Sequence, residues 1–423
     1  MSTTAQPLDV EGVYRRHLSS GRARVVSILG GQMEVSSSGS VVVDSRGDRY
    51  LNCGGYGVFL LGHGHPRVVE AVRAQVERHA LSTRLFLDPT QARAAEAVAE
   101  VSPPGLDRVY FGTSGADAVE AAIKLARMHE KRRLVCAVGG FHGKTFGALS
   151  LCGNPTLTTP FEPLLDGIER VPFGDAAAME RAIADGPGEA CVVVEPIQAE
   201  GGVRIPPEGY LADVAFACRV HGAMLVIDEI ATGLGRVGAW WASEREGVVP
   251  DVVLAGKPLG GGVTPVGALL ASEEAFAPLD RDPYIHSTTF SASPLVMAAV
   301  SATIEVLRDE DVPARADELG RRLLRDLRQV LAPAIADGLV SEIRGTGLLI
   351  GIEFTDPKLA GEFEIELVAR RVVPNHCLNQ HAVVRLTPPA TLSDAEVAWL
   401  VDAAADSARA VASRRRAHRK ARS

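Results

Sequence analysis

The sequence predicts an α/β fold: a large domain with a mostly parallel sheet flanked by helices, plus a smaller α+β domain. Three observations predict it. From about Leu106 onward, short Val/Ile/Leu-rich runs alternate with helical patterns, as expected for parallel strands joined by helical crossovers. Past about Asp309 this alternation stops, and a long amphipathic stretch leads into strand-like segments. The 423 residues, 46% hydrophobic and 23% charged, suffice for two domains with buried cores.

Residues 1–60 contain SVVVDSRGDRYLNC, which reads as a hairpin, and the segment is expected to contribute to the smaller domain. Residues 61–310 carry the large domain. Its strands are DRVYFG, RRLVCAV, ACVVVEPI, AMLVIDEI, DVVLAGK and GALLAS; AVEAAIKLARMHE and YLADVAFACRVHG are helices between them. Residues 311–423 hold a long helix (ARADELGRRLLRDLRQVLAPAI), the strand-like SEIRGTGLLIGIEF and HAVVRLTPPA, and a helix after Ser393. The last ten residues, RRRAHRKARS, read as a solvated, disordered basic end with no assigned role.

A net charge of −8 gives no reason to expect nucleic acid or an anionic membrane as partner. The six cysteines are scattered without CxxC or ligand-like spacing, which speaks against structural zinc or disulfides and for a reducing cytoplasm. The opening residues lack a basic-then-apolar signal pattern, and no apolar run approaches the ~18 residues of a membrane span. No metal site is expected.

Chemistry is sought at the carboxyl ends of the strands, where open α/β sheets bind ligands. In VYFGTSGADAVEAAIKLAR, a strand ends in Gly-Thr-Ser-Gly before a helix near Ala116. Free N–H groups and the helix dipole suit a phosphate, with Ser114 adding a hydroxyl; Ser114 or Asp117 as a plain helix cap is the alternative. In AMLVIDEIATGLGRVG an acidic pair ends an apolar strand, so Asp228 at the sheet edge calls for a cationic partner, or else caps a helix. Lys257 follows DVVLA and precedes the run Gly260–Gly262, in a chain with 6 lysines against 38 arginines. Desolvation there would lower its pKa and free a nucleophilic amine; a snorkelling surface lysine is the alternative. A phosphate cradle, a carboxylate for a ring nitrogen and a nucleophilic lysine together match the needs of pyridoxal 5'-phosphate.

Over nearly its whole length the sequence resembles the class III (ω-amino) aminotransferases of fold type I. The resemblance rests on LLGHGHP, FGTSGADAVEAAIKLAR, GGFHGKTFGALS, EPIQAEGG, IDEIATGLGRVG, LAGKPLGGG, HSTTFSASP and VVRLTPPATLS. It implies Lys257 as the Schiff-base lysine and proton shuttle, and Asp228 as partner of the pyridinium nitrogen. Ser114, Gly115 and Ala116 match the phosphate loop, and Phe141 the stacking aromatic, with His142 beside it. Glu195 falls among the cofactor-binding positions. Thr289 matches the threonine that reaches the neighbouring subunit's cofactor phosphate, which implies a homodimer with shared sites.

Glu200 and Arg385 match the family's glutamate–arginine switch. The resemblance implies a closed pair when an amine donor is bound, and an open Arg385 that takes the carboxylate of 2-oxoglutarate or glutamate. Thr288 falls among the substrate-binding positions. Lys144 stands where members that hold a donor's carboxylate carry arginine, and together with GGFHGK the chain most resembles putrescine-type aminotransferases. The expected substrates are therefore a small amine or diamine donor and a 2-oxo acid acceptor. Ala231 replaces a cofactor-contacting glutamine, Ala199 a glycine, and Ser291–Ser293 a Gly-Gly-Asn run, which leaves room for a specialised amination. An acetylornithine-, ornithine- or 4-aminobutyrate-type enzyme is the alternative. An aminomutase, epimerase or decarboxylase, or a non-catalytic cofactor-binding protein, fits less well.

Overall fold

The structure, a computed structural model, describes residues 8–420. Near the N-terminus β1 (Glu34–Ser38), β2 (Val41–Asp44) and β3 (Arg49–Asn52) form an antiparallel meander whose second turn is the expected hairpin. The central sheet comprises β4 (Arg108–Gly112), β5 (Arg133–Ala137), β6 (Ile168–Val171), β7 (Ala190–Val194), β8 (Met224–Asp228), β9 (Val252–Ala255) and β10 (Gly267–Ala271). Its strand order is β4-β10-β9-β8-β7-β5-β6. All neighbours from β6 to β9 pair parallel, and only β10 runs against both its neighbours.

The C-terminal part adds β11 (Val340–Thr346), β12 (Leu349–Phe354), β13 (Val372–Val373), β14 (Asn375–His376) and β15 (Val383–Leu386). Here β11-β12-β15-β14 form a smaller antiparallel sheet, while β13 pairs parallel with β3 and so joins the two ends of the chain. The single strand-like stretch SEIRGTGLLIGIEF is two strands, β11 and β12, turned at Gly347 (φ 52°). Among the described residues, no helix is long and apolar enough to cross a membrane.

Both faces of the central sheet are covered, which explains the unbroken apolar runs. Leu134 and Cys136 of β5 enter a core with the helix Gly115–Met128, whereas Val135 and Ala137 enter the opposite core with the helices Ala176–Ala184 and Tyr210–His221. In β7 and β8, Cys191, Val193, Met224 and Val226 continue the first set, and Val192, Val194, Leu225 and Ile227 the second. This is the period of two that a pleated strand imposes. Carried to the end of β8, it places Asp228 on the side of the helix that starts at Gly115.

The expectation of a disordered basic end is corrected. The helix Asp394–Lys420 runs through most of RRRAHRKARS, of which 421–423 lie outside the described residues. Leu400, Ala404, Ala408 and Val411 bury its inner face. Arg414 meets Glu362 at 3.4 Å and also pairs with Glu366, Arg416 lies 3.2 Å from Asp337, and Arg415 donates to the Gly338 carbonyl at 3.3 Å. The basic run has acidic and carbonyl partners distant in sequence, which composition cannot reveal.

At the start of β10, Gly267 pairs with Gly112, and a Cβ there would collide with the Ser114 carbonyl. Gly361, inside the helix Pro357–Ala369, has nothing within 4 Å of the same atom. Gly267→Ala should therefore destabilise by roughly 1–3 kcal/mol through overpacking, and Gly361→Ala should stabilise by about 0.5–1 kcal/mol through helix propensity. Urea unfolding of the two variants checks both signs. Equal shifts would refute this account of the Ser114 turn.

Candidate active site

The carboxyl ends of β5, β7, β8 and β9 and the start of the helix Gly115–Met128 converge on a cavity of about 440 Å³. Ser114, Gly115 and Ala116 form one edge. Ser114 is the N-cap, its Oγ accepting from the Asp117 N–H at 3.2 Å, and Asp117 in turn accepts from the Thr113 N–H at 2.8 Å. The cap and the cavity edge are thus the same residue. The first N–H groups of the helix have no acceptor within it, so they and the positive end of its dipole suit an anion.

Asp228, at the end of β8, is held by two donors. His142 Nδ1 lies 2.7 Å from Oδ2, and the Ile230 N–H donates to Oδ1 at 3.0 Å. A carboxylate can only accept, so Nδ1 carries the proton. Burial alone pulls the His142 pKa down, but the bond to Asp228, its charge and that of Glu195 reverse this, and the net pKa is raised. The pairing with Asp228 thus favours the charged form of the buried imidazole more than burial alone would allow. Glu195 lies on the same wall and accepts from the Phe141 N–H at 2.9 Å. Burial pushes its pKa from 4.5 up to about 7, against the opposing pull of His142.

Lys257 follows β9 and opens a short 3-10 turn with φ 35°, a left-handed conformation that costs a side-chain-bearing residue energy. Its side chain lines the cavity, and its pKa is lowered by burial, with Glu200 opposing. Among the described residues it forms no ion pair; the buried pairs of this region are His142–Asp228 and Arg385–Glu200.

Glu200 comes from the loop after β7 and Arg385 from β15 of the smaller sheet. Arg385 Nη2 lies 2.6 Å from Glu200 Oε1, with both side chains buried, and the Leu378 N–H donates to Oε2 at 3.0 Å. The pair is closed. Behind it Arg236, fully buried, donates to the carbonyls of Gly57 (3.1 Å), Leu348 (3.3 Å) and Pro388 (2.6 Å). Burial, with the nearby Arg385, pulls its pKa down to about 9.

The structure thus brings together Ser114, Gly115, Ala116, Phe141, His142 and Glu195 with Glu200, Asp228, Ala231 and Lys257, all of which line the cavity. Arg385 stands directly behind Glu200. Lys144, Thr288 and Thr289 are outside this lining; Lys144 and Thr289 are exposed, and the Thr288 carbonyl accepts from Arg84. Sequence reasoning missed Val58 and Phe59, which form the opposite wall, together with Val263–Val266 after the glycine run. The Phe59 ring stacks on His63 at 3.8 Å, so LLGHGHP carried a signal, though only as part of a family pattern.

Because Glu195 is raised from 4.5 to about 7, the fold favours its neutral form. The resulting penalty is absent below about pH 4.5, grows as pH rises and is complete above about pH 7, reaching at most about 3 kcal/mol. In protein free of small molecules, Glu195→Gln should therefore melt above the wild type at pH 8 and converge with it near pH 4.5. A pH-independent difference in melting temperature would sink this assignment.

The class-III aminotransferase model matches residues 31–407. Among solved structures, the ornithine aminotransferase of Toxoplasma gondii, with partial occupancy of PLP at its active site, is 29% identical. It superposes with a TM-score of 0.85 over 97% of this chain and 100% of its own. An (S)-enantioselective omega-transaminase from Thermomicrobium roseum is 28% identical (TM-score 0.87, covering 95% and 98%). A transaminase from the marine bacterium Virgibacillus shares the fold at 23% identity (TM-score 0.88, covering 96% and 99%). The chain belongs to the class-III aminotransferases, and it is a pyridoxal-phosphate-dependent transaminase.

Proposed function

We propose that this transaminase moves an amino group by a ping-pong mechanism from a putrescine-like primary amine or diamine to a 2-oxo acid such as 2-oxoglutarate. The observation that carries the reading is the closed, buried Glu200–Arg385 pair at 2.6 Å. With Arg385 masked, the donor chain meets Val58, Phe59 and a charge-paired Glu200, a wall with no free cation to hold a donor carboxylate. When Glu200 moves aside, Arg385 offers a planar fork to the acceptor's carboxylate.

The residues present fit pyridoxal phosphate. Ser114, Gly115 and Ala116 would take the phosphate at a helix N-terminus, Phe141 would stack on the ring, and Asp228 would hold the ring nitrogen protonated. Glu195, Ala231 and the apolar Ile230 would close its surroundings. When bound, the group supplies an aldehyde that links to amines and a protonated ring that withdraws electrons from the carbon beside the amine. Lys257 Nζ, its pKa lowered by burial, would serve as the base that accepts a proton from the bound amine substrate and later returns one. His142 holds Asp228 in orientation through the 2.7 Å bond and keeps its charge in place.

We place the functional unit at a homodimer. Leu85 and Leu87 are 81% and 100% exposed, and Phe290 beside Thr289 is 62% exposed, an apolar surface suited to a second copy. Thr288 and Thr289 would then serve the site across the interface. The division 1–60, 61–310 and 311–423, and a cytoplasmic location supported by six free buried cysteines, complete the reading. An ornithine-type donor is the second reading, favoured by the 29% identity to the Toxoplasma gondii enzyme.

Two measurements test these assignments. Borohydride reduction of the cofactor-loaded protein followed by peptide mass spectrometry should find the pyridoxyl adduct on Lys257; an adduct on Lys124 or Lys144 would overturn its role. In single-donor half-reactions read by cofactor absorbance, putrescine and cadaverine should react faster than ornithine, N-acetylornithine or 4-aminobutyrate. Lys144→Arg should narrow that preference. A wild-type enzyme that reacts with ornithine and ignores diamines would replace the diamine reading with the second one.

A further inference from the structure

Glu200 is not held by Arg385 alone. Its second carboxylate oxygen accepts from the Leu378 N–H at 3.0 Å, and its backbone carbonyl accepts from the Asn379 N–H at 3.0 Å. Cys377 Sγ lies 3.5 Å from the Ala199 carbonyl, so the segment after β14 clasps the Glu200 loop on both sides. What fixes that segment is the side chain of Asn379. Its Nδ2 donates to the carbonyls of Gly139 (2.9 Å) and Gly140 (3.1 Å), just before Phe141 and His142, and its Oδ1 accepts from Asn154 Nδ2 at 3.0 Å. Asn154 Nδ2 also reaches the Leu378 carbonyl at 3.3 Å.

We infer that Asn379 is a positioning residue that sets the resting state of the Glu200–Arg385 pair, by pinning the Leu378 amide where it shares the Glu200 carboxylate. This inference rests on the reading of that pair as the acceptor switch. A closed pair with two donors on Glu200 resists opening more than one held by the guanidinium alone, so the clasp shifts the two-state balance toward the masked form. The closed form suits the amine donor, and every carboxylate-bearing ligand must first release the Leu378 bond as well as the Arg385 bond. The clasp therefore tunes the enzyme between its two substrate classes. A residue that only supported the fold would weaken both.

The test compares wild type, Asn379→Ala, the milder Asn154→Ala and Arg385→Met as cofactor-loaded enzymes. Calorimetry measures the binding of glutarate, a dicarboxylate that cannot react, and steady-state kinetics measure KM for the best amine donor. Asn379→Ala should bind glutarate roughly three- to tenfold more tightly, the size of one ordinary net hydrogen bond, since the Leu378 bond is loosened rather than abolished, and should raise the donor KM by a similar factor. Asn154→Ala should move both in the same directions by less, and it carries the test if Asn379→Ala does not fold. Arg385→Met should lose glutarate binding. Unchanged or weaker glutarate binding in the asparagine variants, with binding lost in Arg385→Met, overturns the role of Asn379 and leaves the switch standing. Wild-type affinity in Arg385→Met overturns the switch itself.

Discussion

Charge that cannot reach water governs the centre of this protein. Several ionisable side chains meet at the ends of apolar strands, and each is handled differently. Asp228 is matched by His142 and a backbone N–H, Glu200 by Arg385 and the Leu378 amide, and Arg236 by three carbonyls and, among the described residues, no carboxylate. Glu195 resolves its burial by favouring the neutral acid. Lys257 is given no ion-pair partner among the described residues, and burial lowers its pKa. Pairing some charges and leaving one unpaired gives the cavity both fixed charges and a single free amine among the described residues.

This arrangement depends on the pleat. Because the strands alternate strictly between two cores, the last residue of each is assigned a side by its position alone. Asp228 lands beside the helix whose start carries Ser114, and the reversed β10 brings the Gly267 backbone hard against the Ser114 turn. Side-chain bulk at that contact is excluded by the path of the chain. The smaller sheet then supplies what the central one cannot, a cation on β15 facing the loop after β7.

Much of this was legible in the sequence. Lys257 and Asp228 announced themselves as polar residues ending apolar runs, and Ser114 as a hydroxyl between glycines at a helix start, since each signal lies within about 20 neighbouring residues. Arg385 was legible only through the family pattern, because nothing local shows that it will face Glu200. Arg236 and Asn379 were not legible. Their partners, such as Gly57, Pro388 and Gly139, are carbonyls far along the chain, and a carbonyl has no letter in the sequence. The basic end was misread for the same reason, its counter-charges lying on Glu362, Glu366 and Asp337.

The pairing of Gly112 with Gly267, and the carbonyls of Gly57, Leu348 and Pro388 on one guanidinium, have a consequence for the time order in which the protein is made. During synthesis β4 emerges long before β10, so one flank of the Ser114 turn waits unpaired until Ala271 has left the ribosome. The wall at Val58 waits longer still, for Thr387 and Ala390 to donate to the carbonyls of Cys53, Gly54 and Leu60 on either side of it. The nascent chain can collapse its two sheet faces early, but the cavity is finished only once β15 and the residues just after it have been made. A chain that stalls before β15 leaves β12 without its partner and presents an apolar sheet with an open edge to the cell's quality-control machinery.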